Sequence, residues 1–444
     1  MDTPIADFIR AYEKSGTVRF HMPGHKGRSH LGMEPWDLTE IHGADELYDA
    51  EGIIAKSEAN TTALFGSGRT LYSTEGSSQC IRAMLHLALS CRAPGASRTV
   101  VAARNVHKAF VYAGALLDFD VCWLFPEASV SICSCSISAV ILEQALAALN
   151  APPAAVYITS PDYLGQMADV RALAEVCHRH GTLLLVDNAH GAYLHFLNPP
   201  AHPLDLGADM CCDSAHKTLP VLTGGAYLHI SKRLTEAFSA KAKQALALFG
   251  STSPSYLTLS SLDMCNAYLA EGYVQRLAAC AARVDQVKSA LHSAGWTIET
   301  SDPLRITLRA AAGYSGQAIA QHLRAHGVEC EYADRDYLVL MITPENSEED
   351  FQRLADALSS LSPAPTPDIS LPLCRTEKAM SIREALFAPS ETISVSECAG
   401  RICSAPLVSC PPAIPIVITG ERITQEAIAI LRHYGVIQIE VLAK

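Results

Sequence analysis

From about residue 70 onward, short apolar runs alternate with stretches of helical periodicity, and this alternation limits the fold more than any other feature of the chain. The runs fall at 99–103, 120–124, 155–159, 182–186, 209–212 and 226–230, with helical patterns such as 138–150 and 170–180 between them. A strand covered by helices on both faces reads as a continuous apolar run. The pattern therefore predicts an α/β fold around a mostly parallel, doubly wound sheet. Open sheets of this kind bind ligands outside the carboxyl ends of their strands.

Two of those ends carry a carboxylate and a lysine in a useful order. The run at 182–186 leads into Asp187-Asn188-Ala189-His190-Gly191, and the run at 209–212 leads into Ser214-Ala215-His216-Lys217-Thr218-Leu219. A lysine beside a histidine and hydroxyl residues can form an imine with an aldehyde while its neighbours hold an anionic group. A carboxylate at another strand end can pair with a protonated pyridine nitrogen and keep the ring electron-withdrawing. Pyridoxal phosphate needs both. The plain alternatives are a solvated lysine and an aspartate that caps the next turn. Upstream, Gly76-Ser77-Ser78 opens another helical pattern and offers N–H groups, two hydroxyls and the positive end of a helix dipole to a phosphate. An ordinary helix cap uses the same residues.

Four stretches together carry a resemblance: Phe20-His21-Met22-Pro23-Gly24-His25-Lys26-Gly27, Arg104-Asn105-Val106-His107-Lys108, Val186-Asp187-Asn188-Ala189-His190-Gly191, and Ser214 to Leu219. With weaker similarity near the carboxyl end, they make the chain similar to the Orn/Lys/Arg decarboxylase family of fold-type I pyridoxal phosphate enzymes, in its short form without an amino-terminal receiver-like domain. The resemblance implies an aspartate aminotransferase-like large domain, a smaller α/β domain and a carboxyl-terminal module. It implies pyridoxal 5'-phosphate as cofactor, attached to Lys217, with Asp187 at the pyridine nitrogen, His107 stacked on the ring and His190 near the ring hydroxyl. Ala189 leaves room for the ring, while Gly76, Ser77, Ser78, Ser214 and His216 complete the cofactor site. The activity implied is decarboxylation of arginine, lysine or ornithine to the amine and carbon dioxide, in polyamine biosynthesis. A homodimer or higher homo-oligomer is also implied, with residues 20–52 of one subunit lying over the cofactor of the other. A buried substrate cation would need a carboxylate, since removing one partner of a buried pair costs on the order of 3 to 5 kcal/mol. Asp45 and Glu46 are the first candidates for that carboxylate, Glu329 and Glu331 the second.

The match has departures. Glu75 and Cys80 stand among the small residues of the phosphate loop, Asp162 replaces Thr in a Ser-Pro-Thr-Tyr element, and Gly224 falls where Thr-Gln is frequent. Asn188 stands where an acid is common; with Asp187 intact it is expected to matter little.

A chain of 444 residues exceeds one domain at ~150 residues each. The divisions expected are an arm at 1–69, a cofactor domain at 70–294 with a trailing helical link, a small domain at 295–360, a proline-rich linker at 361–374 and a terminal module at 375–444. Residues 1–16 read as an amphipathic helix, and 20–52 as irregular chain. A net charge of −12 gives no reason to expect nucleic acid as partner, and no apolar run is long enough for a membrane span. The 15 cysteines include no Cys-x-x-Cys pair, and Pro23 and Gly24 break the helix that would align His21 with His25, so no metal is expected. No signal-peptide pattern opens the chain, and a reduced cytoplasm is the expected compartment. The rival readings are another fold-type I enzyme, such as an aminotransferase or α-oxoamine synthase, and a cofactor-binding regulator without turnover.

Overall fold

Strand and helix alternate as expected in the computed structural model of the chain, which describes residues 1–92, 95–129, 131–364, 373–405 and 414–444, without the side chains of 235–237 and 239. Residues 365–372 of the expected linker and Pro411, Pro412 and Ala413 of the terminal module lie outside the described residues. In chain order the elements begin with α1 (Pro4–Lys14), a one-turn helix at Leu47–Asp49, α2 (Ile53–Leu64), β1 (Arg69–Ser73) and α3 (Ser77–Ser90). There follow β2 (Thr99–Ala103), α4 (Lys108–Leu117), β3 (Asp120–Leu124), α5 (Ala139–Ala147) and β4 (Ala155–Thr159). Next come α6 (Val170–Arg179), β5 (Leu183–Asp187), β6 (Met210–Asp213), α7 (Ala215–Thr218), β7 (Ala226–Ile230), α8 (Thr235–Ala247), α9 (Tyr256–Ala270) and α10 (Tyr273–Ser293). The last part holds β8 (Arg305–Arg309), α11 (Gly316–Ala325), β9 (Tyr332–Ala333), β10 (Tyr337–Met341), α12 (Glu348–Ser359), α13 (Ile382–Phe387), β11 (Ser390–Ser394), α14 (Gln425–His433) and β12 (Gln438–Leu442).

The chain forms two units that are discontinuous in sequence, 1–96 with 170–277 and 97–169 with 278–444. In the first, the strand order is β1-β7-β6-β5, with β5 parallel to β6 and β7 antiparallel to both β6 and β1. In the second, β4-β2-β3 is wholly parallel, β8-β10-β9 forms an antiparallel sheet, and β11 pairs with β12. Four of the six expected strands have the expected ends. The other two start and finish one residue later, which brings Asp187 and Asp213 into β5 and β6. In the antiparallel sheet of the second unit, β9 is no more than Tyr332–Ala333. β1 was not anticipated, because Arg69-Thr70-Leu71-Tyr72-Ser73 is no apolar run. Its buried hydroxyls are satisfied individually, Thr70 by His229 Nδ1 at 2.8 Å and Ser73 by Gln79 Oε1 at 2.5 Å.

The amphipathic start folds as α1 and buries Ile5, Ala6 and Ile9. Pro4 occupies its first turn, where a missing N–H costs nothing. The next two N–H groups, of Ile5 and Ala6, donate to Asp263 Oδ2 on α9 at 2.9 and 3.0 Å, and Ser57 of α2 donates to Oδ1 at 2.5 Å. One buried carboxylate thus fastens three helices. Burial raises its pKa to about 6, with these hydrogen bonds pulling the other way. Between the ordinary value of 3.8 and about 6 the folded chain keeps a proton that the unfolded chain has lost, so stability falls as pH rises through that window. In Asp263→Asn, the amide oxygen can accept from Ile5 and Ala6 while its NH2 donates to Ser57. The variant is expected to lose less melting temperature than the wild type between about pH 4.5 and about pH 8. Asp263→Ala, which strands buried donors at ~1 to 3 kcal/mol each, is expected to melt lower at every pH.

Candidate active site

β5 and β6 run parallel in the register Leu185↔Met210, Val186↔Cys211 and Asp187↔Cys212. Asp187 is buried at the end of β5, where its Oδ1 accepts the Ala189 N–H at 3.2 Å and faces Cys212 Sγ at 3.7 Å. Ala189 and His190 follow, both buried. β6 ends at Asp213, and after Ser214 the chain turns into the single-turn helix α7, which carries His216 and Lys217. The turn is held by Lys217 N donating to Ser214 O at 2.9 Å and Leu219 N to Ala215 O at 2.8 Å. The Lys217 side chain reaches back so that Nζ lies 2.9 Å from His190 Nε2. Adjacent strand ends therefore bring Asp187, His190 and Lys217 into one neighbourhood, an amine beside an imidazole that can exchange a proton with it.

The residues expected to hold a phosphate lie beside this group. Gly76 adopts φ +72°, a left-handed conformation that favours glycine, and precedes α3, whose first turn has no side-chain cap. Ser214 Oγ donates to Ser77 Oγ at 2.8 Å, joining the two hydroxyl segments. His216 lies beside Gly76 and directs Nδ1 at Gly225 O at 2.8 Å, so Nδ1 carries the proton. Burial pushes the His216 pKa down, and the neighbouring Lys217 charge adds to this. An uncapped helix start, paired hydroxyls and a near lysine form a donor set suited to a phosphate and an aldehyde. The departures have local causes. Gly224 has φ +97°, its carbonyl accepts Gly76 N at 2.7 Å, and a Cβ there would meet Thr74 O at 2.7 Å. Glu75 is engaged by the Ser251 N–H, and Cys80 is a buried thiol whose pKa burial pushes far up.

The acids divide. Asp45 Oδ1 accepts the N–H groups of Glu46 and Glu51, and Oδ2 those of Gly52, Ile54 and Ala55, so its carboxylate serves as an anchor for α2. Around it, Leu47 O accepts from Lys243, and Gln79 Nε2 in the first turn of α3 donates to Tyr48 OH at 2.8 Å. Residues 45–49 are thereby fastened to α3 within the same chain, with Glu46 exposed. In the second unit, Glu329 pairs with Arg324 at 2.9 Å, and Glu331 accepts the Tyr163 hydroxyl at 2.7 Å. His107 caps α4 by accepting Ala109 N at 3.1 Å. Asp162 is buried, accepts Gln166 N at 2.9 Å and has its pKa raised by burial to about 6. His21 bonds Tyr12 and His25 bonds Asp37. Sequence reasoning did not single out Asp213 or its partners His202 and His229, and gave its partner Asn188 little weight. The available signal was an aspartate directly before the Ser-Ala-His-Lys motif.

A family model for the Orn/Lys/Arg decarboxylase major domain matches residues 3–311, and one for the carboxyl-terminal domain matches residues 370–439. The chain is 30% identical to an arginine decarboxylase of Halalkalibacterium halodurans, over 97% of this chain and 93% of that protein. It is 29% identical to an arginine decarboxylase of Bacillus subtilis, over 96% and 92% respectively. The structure superposes on the constitutive lysine decarboxylase of E. coli with a TM-score of 0.80 and 17% identity, covering 100% of this chain and 82% of that one. The fold is the α/β architecture of fold-type I pyridoxal phosphate enzymes. Gly224→Ala is expected to displace the 74–76 loop and lower the melting temperature by a few degrees, about 1 to 2 kcal/mol, in thermal unfolding.

Proposed function

The chain belongs to the Orn/Lys/Arg decarboxylase family and is an amino acid decarboxylase acting on basic substrates; within that activity we propose arginine as the substrate and pyridoxal phosphate, carried on Lys217, as the cofactor. The observation that carries the reading is the Lys217 Nζ to His190 Nε2 contact of 2.9 Å, beside Asp187 on the adjacent strand end. The arginine decarboxylases named above support the choice of substrate.

Bound there, pyridoxal phosphate supplies an aldehyde and a ring that takes up the electron pair left by departing carbon dioxide. Lys217 would be the residue that carries it. Lys217 Nζ would return a proton to the substrate α-carbon, with His190 Nε2 within reach as the donor behind it. Asp187 keeps a proton on the ring nitrogen, which an uncharged side chain would not hold there. Gly76, Ser77, Ser78, Ser214 and His216 hold the phosphate. The stacking role of His107 rests on the family resemblance. Glu46, exposed two residues before Tyr48, which is tied to α3, is the first candidate for the guanidinium, and Glu331 the second; Asp45 is already saturated by backbone amides.

Supplied with arginine, lysine and ornithine in turn, the wild type is expected to release agmatine fastest. Borohydride reduction and peptide mapping should place the cofactor on Lys217, and Lys217→Ala should fold yet show no steady turnover. Asp187→Asn is expected to bind cofactor while slowing turnover by on the order of 100-fold or more. A label on another lysine, or near-normal rates for Asp187→Asn, contradicts the assignment.

The amino-terminal arm supports a homo-oligomer. Its side chains Val18, Phe20, Met22, Leu31 and Met33 are all exposed, Phe20 by 94% and Leu31 by 82%, an apolar strip suited to a second copy of the chain. Sedimentation equilibrium should show a dimer or larger assembly. The double variant Phe20→Asp, Leu31→Asp should shift it toward monomer without lowering the melting temperature of the subunit.

A further inference from the structure

A polar cluster that the activity leaves unused lies on the other side of the sheet from Asp187: Asn188, His202, Asp213 and His229, each 0% exposed. Successive side chains of a strand point to opposite faces, so Asn188 and Asp213 face away from Asp187 and Cys212. The β5–β6 ladder gives its last backbone hydrogen bond at Asn188 N to Cys212 O, 3.0 Å. One step further the side chains take over. Asn188 Nδ2 donates to Asp213 Oδ1 at 2.7 Å, while Asp213 Oδ2 accepts from His202 Nε2 and His229 Nε2, each at 3.1 Å.

His202, Cys211 and Asp213 are also near enough to one another to surround a cation. The hydrogen bonds leave that arrangement without a role. Both Asp213 oxygens already accept N–H groups, and His202 Nδ1 faces the Leu204 N–H at 3.4 Å, which leaves the ring proton on Nε2. Burial alone would raise the Asp213 carboxyl, but the two imidazoles outweigh it and hold the group well below its ordinary value. Asp213 is thus an ionised acceptor, and its neighbour at 188 must be a donor.

We propose that Asn188 and Asp213 are positioning residues for the decarboxylation: their side-chain bond extends the β5–β6 register past the last backbone pair and fixes Asp187 on one strand end relative to Lys217 beyond the other. The proposal rests on the roles given above to Asp187 and Lys217. Asn188 directly follows Asp187, and Asp213 directly precedes Ser214, which opens the turn that carries Lys217. Gly191 belongs to the device, since a Cβ there would meet Asn188 Oδ1 at 2.1 Å. Misplacement of reacting groups by about 1 Å costs on the order of 100-fold in rate, so a slack strand end is felt in turnover before it is felt in folding.

The polarity of the bond makes it testable. In Asn188→Asp two carboxylates meet where donor and acceptor are now 2.7 Å apart, and they can stay there only by sharing a proton. In Asp213→Asn an NH2 faces either the Asn188 NH2 or two imidazole N–H groups. In the transposed double variant, Asn188→Asp with Asp213→Asn, the amide oxygen accepts from both histidines and its NH2 donates to the new carboxylate, so every hydrogen bond is restored. The ionisable groups around the pair are His202, His229, Asp187, Cys80, Cys211, Cys212 and Tyr227. Burial pushes the three thiols and the phenol upward, which keeps them neutral, and pushes His229 down.

The test uses the full-length holoenzyme, with amine formation read as kcat and KM across pH, and the melting temperature of each unloaded protein as a readout independent of turnover. Each single variant is expected to lose kcat by ~100-fold at about pH 8 with KM within ~3-fold, and the double to recover to within ~10-fold of wild type. Relative to wild type, Asn188→Asp should regain kcat as pH falls and the carboxylate pair takes up its shared proton, whereas Asp213→Asn should not. Melting temperatures of the unloaded proteins should follow the same order, with the double nearest the wild type. Single variants within ~3-fold of wild-type kcat, or a double no better than the singles in both kcat and melting, overturn the proposal. A wild type that forms no amine, or carries its borohydride label elsewhere than Lys217, overturns the proposed function instead.

Discussion

Backbone pairing of β5 with β6 puts Asp187 beside Cys212 and, one step later, Asn188 beside Asp213, so a single register decides both which face Asp187 takes and what holds the strand ends from behind. A slip of one residue would exchange the two faces and carry Asp187 to the far side. The register is pinned at both ends by aspartates of one strand region. At the entrance, Asp209 Oδ2 accepts Leu184 N at 2.8 Å and His178 Nε2 at 3.1 Å, while Arg233 binds its other oxygen at 2.9 Å. At the exit, Asp213 accepts Asn188. The middle of each strand is apolar and carries no such information, so the polar ends supply it.

Buried charge is tolerated here because each group was given partners before being taken from water. Asp209, Asp213, Glu58 and Arg104 are almost fully buried, and isolated ions there would cost several kcal/mol each. Lys243 pairs with Glu58 at 2.6 Å, and Glu421 with Arg104 at 2.9 Å. These pairs do not add much net stability, since desolvation offsets most of the attraction. What they add is specificity of arrangement. Arg104 directly follows β2, and its ties to Glu421 and to the Ile416 carbonyl at 3.1 Å join the segment bearing His107 to the terminal module of the same unit.

The sequence made the strands and the lysine legible because both are local. Continuous apolar runs fix buried strands, and a lysine among hydroxyls after such a run is unusual whatever surrounds it. β1 was hidden because it is no apolar run, and one partner that makes its burial possible, His229 for Thr70, lies on a strand far along the chain. Asp45 could be read as an acid in an irregular loop but not as the acceptor of five amides, since those amides converge only once α2 has formed. For the same reason Asn188 looked like an inconsequential departure. Its importance lies in a partner 25 positions away, and a pairing at that distance has no periodicity to reveal it.

The departures from the family pattern can be weighed against the idea that the chain has lost its chemistry. A decaying site would be expected to accumulate changes with no local reason, yet these have one. Gly224 permits the close approach of Thr74 that lets its carbonyl hold Gly76, and Glu75 is engaged by the Ser251 amide. Asp162 accepts a backbone N–H, and its raised pKa reduces the charge it must carry in a buried place. Asn188 donates to an aspartate that would repel an acid. Each substitution meets a partner suited to it, while Lys217 keeps its contact with His190 and Asp187 its place at the end of the adjacent strand. Compensation of this kind is what selection for a working site produces, and it places the chain with the turning-over members of its family.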